Sequence, residues 1–132
     1  MTASTPEEVH RLWTQAFDEG DVDALVALYE PSATLVFQPG EEPARGTEAI
    51  REALDGLLSM FEGKPKFDLR FRKAFEAGED LALVLSTWTM SGSAKDGSPI
   101  EMSGQTADVV RRQADGSWRV AIDNPFGDAA LA

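Results

Sequence analysis

Pro65 separates two stretches of chain with different hydrophobic periods, and that one change limits the fold more than any other feature. Before it, apolar residues recur at helical spacing; after it, they alternate along segments that end in tight turns. Thr5-Pro6-Glu7-Glu8 reads as a helix start, with Ser4 or Thr5 as N-cap, Pro6 in the first turn and two acids at the positive end of the helix dipole. Val9, Leu12, Trp13, Ala16 and Phe17 then form one apolar face. Gly20 stops this helix, and Asp21 or Asp23 caps a shorter one whose Leu25, Leu28 and Tyr29 point inward until Pro31 ends it. Ala33 to Gln38 reads as a strand and Pro39 to Pro43 as a loop. Thr47 caps a third helix with Ile50, Leu54, Leu57, Leu58 and Phe61 as its buried stripe, closed by Gly63 and Pro65.

Beyond Pro65 the pattern predicts four strands, Lys66 to Glu76, Leu81 to Ser93, Ile100 to Arg112 and Ser117 to Asp123. Gly78-Glu79-Asp80, Ala94 to Pro99 and Asp115-Gly116 supply the turns between them. Helices followed by successive hairpins imply an α+β fold, with three N-terminal helices on one face of a curved antiparallel sheet. A chain of 132 residues has room for one core, so residues 1–132 are read as a single domain, frayed at Asp128 to Ala132.

Several function classes fall away on composition. No apolar run approaches the roughly 20 residues of a membrane span, and residues 1–9 lack the basic start and apolar centre of a secretory signal, which leaves the cytoplasm as the default compartment. A net charge of −11 repels phosphate backbones and anionic lipid, so neither nucleic acid nor a membrane is an expected partner. The basic stretch Lys64 to Lys73 alternates with Phe67, Leu69 and Phe71 and reads as a strand with its cations toward water. There is no cysteine, no phosphate-binding loop and no histidine pair, so neither cofactor nor metal is expected. His10, the only histidine, is assigned to the polar side of the first helix, in solvent.

Asp108 is the residue that stands out. Asp is a poor strand residue, yet it sits in the middle of the third predicted strand, ahead of the Asp115-Gly116 turn. Alternation puts it on one face with Met102, Gly104, Thr106 and Val110. If that face is buried, the carboxyl must be paired, hydrogen-bonded or held neutral.

Phe17-Asp18-Glu19-Gly20-Asp21-Val22-Asp23-Ala24-Leu25, Leu28-Tyr29 with Ala33-Thr34-Leu35, Gly46-Thr47-Glu48-Ala49-Ile50-Arg51 and the late Asp115-Gly116-Ser117-Trp118-Arg119 follow in an order that resembles the nuclear transport factor 2-like superfamily. Within it the chain is most similar to small SnoaL-like and ketosteroid isomerase-like bacterial proteins. The resemblance implies a cone-shaped sheet wrapped around three helices, an apolar cavity between them, and a homodimer through the outer sheet face. It puts Asp108 where the isomerases keep a neutral carboxylic acid that donates a hydrogen bond, the example by which such acids are generally explained. The isomerase's basic Asp falls at Phe37 or Gln38, and its donor tyrosine at Trp13, so a carboxylate-base isomerisation is disfavoured.

What remains is an aromatic pocket with a few polar points. Trp13, Phe17, Phe37, Phe61, Trp88, Met90, Thr106, Ile122, Asn124 and Phe126 are its candidate walls, Asn124 with the further option of pairing with Asp108. Asp123, before Asn124-Pro125, is accounted for as the end of a strand. Three readings stand side by side: a binding protein for a small apolar molecule; an isomerase, polyketide cyclase or dehydratase using Asp108 as general acid with Trp13 and Asn124 as donors; and a non-catalytic dimerisation or assembly domain.

Overall fold

The structure, a computed structural model, describes residues 2–131. Three helices, α1 (Pro6–Glu19), α2 (Val22–Val26) and α3 (Thr47–Ser59), pack on a curved open sheet of six strands. The strands are β1 (Tyr29–Leu35), β2 (Ala44–Arg45), β3 (Lys66–Ala77), β4 (Leu81–Ser93), β5 (Pro99–Arg112) and β6 (Trp118–Asp123), in the order β2-β1-β6-β5-β4-β3. All neighbours run antiparallel except β1 and β6, which are parallel. The α+β class and the helices-on-sheet arrangement are those expected from the switch of period at Pro65.

Local chemistry explains the helix ends. The Thr5 hydroxyl accepts the Glu8 N–H at 3.2 Å, and the Asp21 carboxylate accepts the Ala24 N–H at 3.0 Å. Gly20, at φ 67°, lets the chain turn sharply between the two helices. The third helix differs from expectation: Thr47 is its first helical residue, and Gly46, at φ 86°, holds the cap position without a side-chain bond.

Tyr29 also departs from its expected place. It opens β1 instead of closing α2, and Pro31 lies inside that strand, which ends at Leu35 rather than Gln38. Pairing with β6 runs from Tyr29↔Val120 to Thr34↔Ile122 with an irregularity between, and Pro31 sits in that irregular stretch, where a missing N–H costs no ladder bond. At the other terminus Gly127–Leu131 wind into a short 3₁₀ helix where fraying was expected; Ala132 lies outside the described residues.

Two bulges set which side chains face inward. In β3 the register passes from Phe71↔Ser86 to Lys73↔Leu85, and in β6 from Val110↔Val120 to Val109↔Ile122. Arg72 and Ala121 are the extra residues, and each reverses the inside–outside alternation beyond it. On the outer face this aligns Phe75, Leu83, Val109 and Ile122 as successive cross-strand partners over four strands. The result is an apolar row in place of the mixed surface that Gln105, Ala107, Val109 and Arg111 suggest by themselves. Among the described residues no helix is long and apolar enough to cross a membrane.

Candidate active site

Between the helices and the inner face of the sheet lies a cavity of about 360 Å³. Its walls are mostly carbon and sulfur, and its polar groups converge at His10, Thr106, Asp108 and Asp123. Of the residues proposed from sequence, Trp13, Phe37, Trp88, Met90, Thr106, Asp108 and Phe126 line it. Trp13 stacks on Phe17 with ring centroids 5.1 Å apart, and Phe67 tilts against both, so Phe17 supports the wall from behind without forming part of it. Phe61 is also core: its ring covers Gly92, where an added Cβ would come within 2.7 Å of it.

Ile122 and Asn124 do not line the cavity. The Ala121 bulge turns Ile122 outward, 44% exposed, and brings Asp123 inward in its place. Asn124 does meet Asp108, but through its backbone: its N–H donates to Asp108 Oδ1 at 2.9 Å, while its side-chain amide donates to the Gly127 carbonyl at 3.0 Å.

The larger correction concerns His10. It is buried, and its imidazole reaches across the core from α1 to the sheet. Nε2 lies 2.7 Å from Asp108 Oδ2 and Nδ1 lies 2.8 Å from Ser86 Oγ. A polar position for His10 neglects that it precedes Trp13 by three residues and Phe17 by seven, which puts it on the flank of the apolar stripe. That spacing, with a buried strand carboxyl in need of a partner, was the available signal.

A second chain of bonds runs beside the first. Trp13 Nε1–H donates to the Tyr29 hydroxyl at 3.0 Å, and Tyr29 in turn donates to Asp123 Oδ2 at 2.5 Å. Five elements, α1, β1, β4, β5 and β6, thus deliver polar side chains to one end of an apolar chamber.

The sequence from residue 9 to residue 121 matches the SnoaL-like domain family. The chain belongs to the SnoaL-like family. Solved structures agree on its fold. A ketosteroid isomerase-like protein from Erwinia carotovora atroseptica superposes with a TM-score of 0.76 at 22% identity, covering 89% of this chain and 88% of the other. A candidate scytalone dehydratase from Novosphingobium aromaticivorans gives 0.78 at 20%, covering 89% and 77%. A candidate calcium/calmodulin-dependent protein kinase II association domain from Xanthomonas campestris gives 0.75 at 20%, covering 89% and 81%. At these identities the likeness speaks for the fold, and the same fold carries differently named proteins.

In this SnoaL-like chain, burial governs the charge state of the polar end. It raises the Asp108 carboxyl from 3.8 to about 7, against the stabilising bonds from Asp123 and the Asn124 N–H. Asp123 is pushed well above the ordinary carboxylate range, first by burial and then by the neighbouring Asp108, with Tyr29 and His10 pulling the other way. Burial lowers His10, partly offset by Asp123, so its imidazole favours the neutral form. Burial thus favours the uncharged form of all three groups, and Asp108, at about 7, is the one brought into the range where a carboxyl can both give and take a proton.

Proposed function

We propose that this SnoaL-like protein binds a small apolar molecule in its cavity and moves protons on it, in an isomerisation, cyclisation or elimination that uses side-chain acids and bases alone. The observation that carries this reading is the His10–Asp108 contact of 2.7 Å at the polar end of an apolar chamber. A carrier needs only shape and a hydrogen bond or two, and a histidine locked between a serine and a carboxyl of raised pKa exceeds that need. Asp108 gains a proton-exchange partner that makes up for the absence of a carboxylate at Phe37 and Gln38. His10 tunes Asp108, since both of its ring nitrogens are engaged by Ser86 and Asp108. The named isomerase-like and dehydratase-like neighbours support the reaction class by analogy only.

The apolar row Phe75, Leu83, Val109 and Ile122 supports, as part of the same reading, association of two copies through the outer sheet face. The activity is tested by incubating the protein in deuterium oxide with a panel of apolar cyclic ketones and hydroxy ketones. Protein-dependent exchange of carbon-bound hydrogen or loss of water, abolished in Asp108→Asn, is the expected result. Binding without exchange would reduce the protein to a carrier, and absence of binding across the panel would refute the cavity as a ligand site.

A further inference from the structure

The two carboxyls at the polar end are not equivalent, and donor accounting separates them. The Asn124 N–H, which can only donate, occupies Asp108 Oδ1 at 2.9 Å, so any exchangeable proton of Asp108 belongs at Oδ2, facing His10 Nε2. Ser86 can donate to or accept from Nδ1, so the proton between Asp108 and His10 can sit on either side of that contact. Asp123 is oriented by a chain that runs one way. The Trp13 indole N–H can only donate, so the Tyr29 oxygen receives it and the Tyr29 O–H goes to Asp123 Oδ2. A proton on Asp123 is therefore left at Oδ1, the oxygen without a committed donor. The Ala121 bulge turns the whole side chain into the cavity.

We infer that Asp123 is the acid that delivers a proton to the oxygen of a bound apolar molecule, while Asp108, backed by His10 and Ser86, is the base that takes a proton from carbon. This deepens the acid–base reading above and rests on it. The ligand class follows: a mostly hydrocarbon molecule with one oxygen that gains negative charge as a neighbouring C–H bond breaks. As Asp108 takes the proton from carbon, the bond electrons pass toward that oxygen, and Asp123 Oδ1–H protonates it. Each turnover then leaves Asp108 protonated and Asp123 ionised. The two carboxyls are neighbours at the same polar end of the cavity, and the proton returns from Asp108 to Asp123 there or through solvent, so the site resets without a further reactant. The titratable groups in this assembly are His10 on α1, Tyr29 on β1, Asp108 on β5 and Asp123 on β6, and burial of Asp123 beside Asp108 favours its protonated form.

The test uses 1,2-benzisoxazole and its 5-nitro derivative as probes. A base removes the C3 proton, the N–O bond breaks, the electrons form a nitrile, and the oxygen leaves as a phenolate that an acid can protonate. The two probes differ in leaving group: the nitro compound hardly needs the acid, and the parent compound does. Asp108→Asn is expected to slow both alike. Asp123→Asn is expected to slow the parent on the order of a hundredfold and the nitro compound less than about tenfold. Equal losses on both probes in Asp123→Asn would overturn the assignment of Asp123 while leaving the acid–base reading intact. No turnover by the unmodified protein would overturn that reading and the inference with it. A measurement that needs no variant comes from carbon-13 NMR titration of the aspartate carboxyls in the unmodified protein. The last carboxyl to ionise is expected to be Asp123, and its assignment to Asp108 would refute the proposal. Tyr29→Phe should delay the ionisation of Asp123 further, since it removes a donor to the charged form.

Discussion

Replacing Asp108 by Asn gives a test in which the sign of the answer distinguishes two physical pictures. Burial raises this carboxyl from 3.8 to about 7, about three pKa units. At roughly 1.36 kcal/mol per unit, ionising it inside the fold costs about 4 kcal/mol relative to the unfolded chain. A group whose folded pKa is raised contributes stability that is complete below its unfolded value and is lost as pH rises through the folded one. The window here runs from about pH 4 to about pH 7. The substituted amide keeps an oxygen for the Asn124 N–H and an NH₂ that can donate to the neutral His10 Nε2, and carries no charge to bury. Urea unfolding of both proteins at pH 4.5 and pH 8 measures the difference. The two should lie within about 1 kcal/mol of each other at pH 4.5, and the Asp108→Asn variant should be the more stable by about 2–4 kcal/mol at pH 8. Comparing the pair removes the contributions they share, among them general repulsion from a net charge of −11. Asp123 moves in the same direction, because losing the Asp108 charge also eases its own ionisation. If His10 and Asp108 were instead a charged pair, the substitution would leave the buried imidazolium without its counter-charge, and the variant would lose most where the unfolded histidine is protonated, falling well below the unmodified protein at pH 4.5 and holding no advantage at pH 8. A large loss at pH 4.5 with no gain at pH 8 would refute the neutral, proton-sharing site.

Other consequences follow from the same contacts. His10→Ala leaves Ser86 and Asp108 without their shared partner and opens a void, and should cost about 2–4 kcal/mol in urea unfolding, with His10→Gln recovering part of it. Gly104→Ala would place a Cβ 2.5 Å from the Pro125 carbonyl oxygen and 2.8 Å from Trp88 Nε1, where the indole donates to that carbonyl at 2.7 Å. A loss of about 1–3 kcal/mol, with a red shift of tryptophan emission as the bond breaks, is the expected outcome. Phe75→Lys together with Ile122→Lys puts two cations in the outer apolar row, and a dimer seen by sedimentation should become a monomer with its helix and strand content unchanged.

The reach of the sequence is clearest where the signal is local. Thr5 and Asp21 sit a few residues from the N–H groups that they cap, and the alternation around Asp108 is carried by its own strand, so both are legible without knowing what lies nearby. Tyr29 and Pro31 are misread from sequence because a proline ends a helix in most contexts, and only the irregular pairing of β1 with β6 makes it harmless in a strand.

The class of the fold, the family and the set of residues that share a face with Asp108 are legible in the chain alone, because helix and strand periods, caps and turns act over a few residues. The tertiary structure decided the chemistry. His10 is tied to Asp108 across 98 positions of sequence, and its burial is settled by the sheet it packs against. The bulge at Ala121 exists only in the register between β5 and β6, and that one extra residue exchanges Ile122 and Asn124 for Asp123 in the cavity wall. A one-residue shift in pairing leaves almost no trace in composition or period, yet it selects which side of the sheet a carboxyl meets, and with that its partners and its proton.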